Sequence, residues 1–197
     1  YKKAINSKTD LIDKANMENN IAVVLIQLKK YHEASHIFYK LTQKKEILNN
    51  DESYSRALNN LGYCYYKMGN PNALKYLKKS FKIRKQKKDV IALIDSYYNL
   101  SVYYKTENTN LSSKYALIAY KKATKIKSVD SRLGSLKLII ENSTSDKLKK
   151  YSLLYLKISD SIAKIRLKAK NNFAKIKYDS KKEKDENLKL KEQKVND

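Results

Sequence analysis

Apolar and small residues recur along this chain with helical spacing, and three segments share one pattern. The first runs Asn20-Ile21-Ala22, Leu25, then Tyr31, Ala34, Phe38 and Leu41. The second runs Asn60-Leu61-Gly62, Tyr65, Gly69-Asn70, Ala73, Leu77 and Ser80. The third runs Asn99-Leu100-Ser101, Tyr104, then Ala116, Tyr120 and Ala123. Their apolar starts at Ile21, Leu61 and Leu100 are 40 and 39 residues apart. The i, i+3, i+4, i+7 spacing sets the apolar residues of each helix on one face, so each segment predicts a helical hairpin. Ala22, Gly62 and Ser101 are small enough for the second helix to approach closely, with Ala34, Ala73 and Ala116 as their small partners. Leu25, Tyr65 and Tyr104, with Phe38, Leu77 and Tyr120, fill the space between hairpins.

Local signals mark the boundaries. Asn70 before Pro71 predicts a helix N-cap with proline at the first helical position, and Gly69 suits the end of the preceding helix. Lys85, Lys87 and Lys88 complement the negative end of a helix. A fourth, weaker hairpin is expected with Arg132 to Glu141 as its first helix and Asp146 to Ile158 as its second, separated by Ser143-Thr144-Ser145. Tyr1-Lys2-Lys3-Ala4 is similar to Tyr120-Lys121-Lys122-Ala123, so the chain is expected to begin within a second helix, after upstream repeats.

The order of small residue, aromatic, turn, alanine, aromatic and small residue resembles the tetratricopeptide repeat over residues 1–158. The period is longer than the family's about 34 residues. The turn at Asn70-Pro71 is one residue short, and the turn from Thr106 to Ser113 carries extra residues. The resemblance implies an all-α right-handed superhelix of about four hairpins, followed by a long C-terminal helix over 159–197. It also implies a polypeptide or peptide ligand in the concave groove.

Past Ser159 the repeat is lost. Ile162, Ile165, Ala169 and Ile176 keep a heptad-like stripe flanked by Phe173, which decays at Asp179, Glu183 and Glu186, so that residues 179–197 read as a charged helix or a disordered tail. Ile158-Ser159-Asp160-Ser161-Ile162, with Phe173 to Asp179, resembles the exit segment of membrane-anchored bacterial tetratricopeptide regulators. That resemblance implies the input region of a signalling or transcription regulator, on the extracytoplasmic side of a membrane or in the cytoplasm. A capping helix that also supports self-association is the simpler reading.

Charge adds a competing reading. With 43 basic and 20 acidic residues, the chain carries +23. Such a chain suits nucleic acid, an anionic membrane surface or an acidic partner. Ten basic residues and no acid lie between Ser53 and Lys88: Arg56, Lys67, Lys75, Lys78, Lys79, Lys82, Arg84, Lys85, Lys87 and Lys88. Most fall on a second helix, on the convex side, where a solvated lysine face is the default reading and an acidic partner or anionic lipid surface the second. Only Arg56, Arg84, Arg132 and Arg166 are arginine, whereas base readout favours the arginine fork. An electrostatic adaptor is therefore the alternative function.

Catalytic chemistry finds little footing. No Gly-rich phosphate loop, nucleophile elbow or zinc cluster occurs, so no enzyme, cofactor or small-molecule substrate is expected. His32 and His36 have the i, i+4 spacing of metal ligands but no third ligand. Cys64, the one cysteine, reads as a buried, inert thiol. No apolar run is long enough to span a membrane.

The clearest constellation is an asparagine ladder. Asn20, Asn60 and Asn99 each precede the apolar residue that starts a repeat, a place the family turns toward its concave groove. An amide there both donates to and accepts from a peptide backbone. Neighbours on that face are Asn16, Val23 and Gln27; Arg56, Tyr63 and Lys67; and Asp95 and Val102. Tyr63 and Tyr66 are candidate aromatic anchors, with inter-repeat packing the other reading of both. Arg56 and Lys67 form a candidate carboxylate-binding corner.

Overall fold

The pattern folds into helices throughout: α1 (Lys2–Gln27), α2 (Tyr31–Leu41), α3 (Lys45–Leu48), α4 (Asp51–Lys67), α5 (Ala73–Gln86), α6 (Val90–Glu107), α7 (Thr109–Lys125), α8 (Val129–Glu141) and α9 (Ser145–Asn196). The computed structural model describes the backbone of residues 2–143 and 145–196, and the side chains of 10–143 and 147–186. No strand occurs among the described residues. Tyr1 and Thr144 lie outside them. The chain forms two compact units, Tyr1–Ser152 and Leu153–Asp197.

In the first unit, consecutive helices pair as hairpins α1/α2, α4/α5 and α6/α7, and the first helices α1, α4, α6 and α8 also pack in a row. The small positions lie where the pattern put them. Ala22, Ala34, Ala73, Ala116 and Ala123 are at most 1% exposed, and Ser101 is fully buried. The close neighbour of Gly62, however, is Leu77 rather than Ala73. A Cβ on Gly62 would sit 2.8 Å from Leu77 Cγ and 3.0 Å from its backbone nitrogen. Ser101 meets Ser112: each hydroxyl donates to the other residue's carbonyl, at 2.9 and 2.7 Å. Ile21 departs from Leu61 and Leu100. It is 58% exposed where they are buried.

The long period has a specific source. The four-residue helix α3 follows the first hairpin, and its Ile47 fills the core formed by Ala22, Phe38, Leu41, Ala57 and Leu61. The turns differ from expectation. The one at 68–72, expected to be short, is the longest of the three. The expected loop from Thr106 to Ser113 is reduced to Asn108, which ends α6 and begins α7 and accepts the Leu111 N–H at 2.9 Å. The extra residues lengthen α7. Helix α5 starts at Ala73, two residues beyond Pro71, and Asn70 Oδ1 accepts the Asn72 N–H at 2.9 Å. Asn70 is thus not the cap of α5, whose N-cap Asn72 makes no side-chain bond, whereas Asn50 and Asp89 cap α4 and α6 by accepting the Ser53 and Ala92 N–H. Residues 2–4, expected in a preceding hairpin, run without a break into α1.

Four helix ends share one geometry, in which a residue at positive φ lets two amides close back onto the last turn. Gly69 takes this place after α4, with Asn70 N–H donating to Tyr65 O at 2.8 Å. Lys29, Lys88 and Lys127 take it after α1, α5 and α7. The left-handed conformation costs a side-chain-bearing residue about 1 kcal/mol or more.

In the second unit, the α9 stripe is open to solvent. Ile165, Phe173 and Ile176 are each at least 65% exposed, and no helix break falls between 158 and 159.

Two outcomes follow. Gly62→Ala forces Leu77 and the α5 backbone away and lowers stability by about 1–3 kcal/mol in urea denaturation; an unchanged midpoint would remove the α4–α5 contact from the account. Lys88→Gly relieves the left-handed strain, and a gain of about 0.5–1 kcal/mol is expected from the same measurement.

Candidate functional site

The first-helix row carries a groove whose floor depends on Arg84. Near the end of α5 this arginine is only 4% exposed, so it does not belong to the solvated lysine face where its sequence neighbours place it. Its Nη1 donates to Ala92 O at 2.8 Å and to Ser96 Oγ at 2.9 Å, both on α6. Its Nε donates to Ser55 Oγ on α4 at 3.5 Å, while Ser80 Oγ donates to Ser55 O at 2.6 Å. Burial lowers the guanidinium's pKa, opposed by the nearby carboxylates of Asp95 and Asp89.

Above this floor lies an open cavity of about 560 Å³ lined by α1, α4 and α6. Asn20 and Asn60 face it together with Arg56 and Asp95. Asn60 Nδ2 donates to Asn19 Oδ1 at 3.5 Å, and Asn19 in turn to Asn20 Oδ1 at 3.5 Å. The ladder thus includes residues one step off its expected register: Asn19 and Asn59 are 6% and 3% exposed, and both line the cavity. Asn59 Oδ1 is buried without a hydrogen-bond partner. Asn99, expected as the third rung, lines neither this cavity nor the next one along the row.

That neighbour is a cavity of about 310 Å³ between α6 and α8, lined by Ile94, Asp95, Tyr98, Asp130, Ser131, Gly134 and Ser135. Asp95 lines both. Its carboxylate is exposed, yet the crowding of protein around it is the largest influence and raises its pKa, with Arg84 pulling the other way. The Ser135 hydroxyl is buried and unpartnered.

The aromatic candidates lie elsewhere on the row. Tyr66 packs on Tyr103 of α6, with ring centroids 5.8 Å apart, so the inter-repeat contact is present. Tyr103, Tyr104, Tyr115, Tyr97 and Phe81 continue that contact from ring to ring. Half-buried Tyr63 has its pKa pushed up to about 12, by desolvation first and then by Tyr31 and Tyr98. Lys67 Nζ sits 5.5 Å from the Tyr63 centroid and 5.6 Å from that of Tyr66. Arg56 pairs with Glu52 at 2.5 Å, so the corner expected from Arg56 and Lys67 is not one site: each cation faces its own partner.

The residues set aside for chemistry stay apart from the groove. Cys64 is fully buried and its thiol is pushed up to about 12 by desolvation, which leaves no thiolate to attack. His32 and His36 are exposed on α2, and no three His, Cys, Asp or Glu gather as a metal site among the described residues. No helix among those residues is long and apolar enough to cross a membrane.

Residues 13–86, which span most of α1 through α5, match the family model described as tetratricopeptide repeat. No curated protein matches the chain. The match supports a scaffold for protein–protein interaction, and the two matched hairpins supply Asn20, Asn60 and Arg56.

Arg84 carries a direct test of this floor. In Arg84→Leu, Ala92 O and the hydroxyls of Ser96 and Ser55 lose their donor inside the protein. A loss of about 2–3 kcal/mol is expected in urea denaturation, and equal stability would show that the guanidinium is dispensable.

Proposed function

We propose that the chain is a polypeptide-binding scaffold that recognises an extended peptide along its first-helix row, as the input region of a bacterial signalling or transcription regulator. The observation that supports it is the convergence of Asn20, Asn60, Asn19 and Asn59 from two successive repeats on one cavity. An amide both donates and accepts, so amides at one-repeat intervals suit the alternating N–H and C=O groups of an extended backbone. Asn99, in the same register of the third repeat, lies outside both cavities and is left out of the ladder. Tyr63, Tyr66 and Lys67 border the row and form its aromatic flank. The exposed stripe of Ile165, Phe173 and Ile176 supports self-association through α9, in a C-terminal connector over 159–197.

The alternative, an electrostatic adaptor for nucleic acid or an anionic membrane surface, draws on lysines that are exposed on and just after α5: Lys75, Lys78, Lys79, Lys82, Lys85, Lys87 and Lys88. Binding of that kind weakens steeply with salt.

A random-peptide display selection against the full chain tests the proposal, with calorimetry on the peptides it returns. The double variant Asn20→Ala, Asn60→Ala is expected to lose about 2–4 kcal/mol of binding free energy while keeping its helical circular-dichroism spectrum. Changing Lys78, Lys79, Lys82, Lys85, Lys87 and Lys88 to Gln is expected to cost little. A selection that returns no binder, or affinity lost with the lysines and kept without the asparagines, rejects the groove.

A further inference from the structure

The groove is charged opposite to the chain. Overall 43 basic residues outweigh 20 acidic ones, yet the two cavities of the row are lined by Glu52, Asp89, Asp95 and Asp130 against Arg56 and Arg84. Both arginines are occupied, Arg56 by Glu52 and Arg84 by Ala92 O and Ser96. One oxygen of Asp89 caps α6. Asp95 differs from all of these. It lines both cavities and makes no hydrogen bond or ion pair among the described residues. The opposing charge that acts on it, the buried Arg84 guanidinium, has its Nη1 hydrogens committed to Ala92 O and Ser96 Oγ, so the carboxylate keeps its acceptor sites for a cation from outside.

A second observation, independent of charge, marks the same surface. Asn59 is 3% exposed, lines the first cavity and has its Oδ1 unpartnered. Ser135 is fully buried, lines the second cavity and has its Oγ unpartnered. Buried polar atoms are satisfied in the great majority of cases, and an unsatisfied one carries a desolvation cost that a ligand can relieve. One such atom flanks Asp95 in each cavity.

Resting on the peptide-binding reading above, we propose that the groove selects a polypeptide segment bearing lysine or arginine. The cation sits on the Asp95 carboxylate, and the segment backbone lies over Asn59 and Ser135, whose buried Oδ1 and Oγ reach it by a change of side-chain rotamer. This reverses the acidic partner that composition alone suggests. It also sets the sign of the salt response. A cationic peptide is repelled at long range by a +23 chain and attracted only at contact. Salt screens the distant repulsion more than the contact pair, so affinity stays level or rises with salt, where a polyanion's would fall.

The experiment selects random octapeptides on the full chain at physiological salt, with soluble polyglutamate present to occupy the lysine surface. Lysine or arginine is expected to be enriched. Asp95→Asn is expected to weaken a selected peptide about tenfold or more, as loss of a charged hydrogen-bond partner does. Acetylating the peptide's lysine should cause the same loss in the unaltered protein and none in Asp95→Asn, the non-additivity of a direct contact. Between roughly 50 and 200 mM salt, affinity should not fall. Peptides of neutral or acidic character that respond to Asn20→Ala, Asn60→Ala but not to Asp95→Asn overturn the cation and leave the groove standing. A selection that returns nothing rejects both.

Discussion

A guanidinium taken out of water must find its hydrogen bonds where it lies, because an unpaired buried charge is among the costliest features a fold can carry. Arg84 meets that demand by reaching from α5 to Ala92 and Ser96 on α6 and to Ser55 on α4. Three helices from two hairpins are thereby held in one relative position. The guanidinium also gives the groove a polar, positively charged floor, from which the neighbouring Asp95 carboxylate feels a through-space pull. The remaining contacts between these repeats are apolar and aromatic, and such surfaces tolerate sliding. The arginine supplies the direction that they lack.

What the sequence made legible was the periodic part. The small residues at 22, 62 and 101 had to be buried, because each helix of a hairpin needs a face without bulk, and they are. The asparagines at 20 and 60 had to share a face, because they occupy one register, and they line one cavity. Contacts that depend on side-chain reach across helices were not legible. Gly62 touches Leu77, a residue read only as filler, because the two helices cross where a branched side chain fits over a missing Cβ. The stretch from Thr106 to Ser113 read as a turn with extra residues from the alignment of the repeats, but Asn108 caps α7 at once and leaves no loop to form. The Asn50, Asp89 and Asn108 caps were each visible in principle as Asx residues opening an apolar period.

Arg84 was the least legible residue. Between Lys82 and Lys85 it looks like one more member of a solvated run. It lies four residues past Ser80 and seven past Leu77, which marks it as part of the buried face, but burial of a charge is not what a pattern of apolar positions predicts. The unpaired state of Asp95 was equally hidden. Its register with Arg56 and Asn16 was plain, whereas the placing of Arg84 near it but out of hydrogen-bond contact is a fact of three dimensions.

The contrast between the charge of the chain and the charge of its groove has consequences for selectivity. Lysines spread over α5 and its end create a long-range potential that draws anions to the outside of the molecule and keeps them mobile there. A ligand held at Asp95 must arrive against that potential. Its affinity therefore rests on contacts made after arrival: the carboxylate, the amides and the two unpartnered buried atoms. Discrimination built in this way resides in the dissociation rate, since close contacts govern how long a complex lasts while the distant field governs how often it forms. A scaffold with such a division rejects the polyanions its surface attracts, because they reach no cation within the groove that is not already paired.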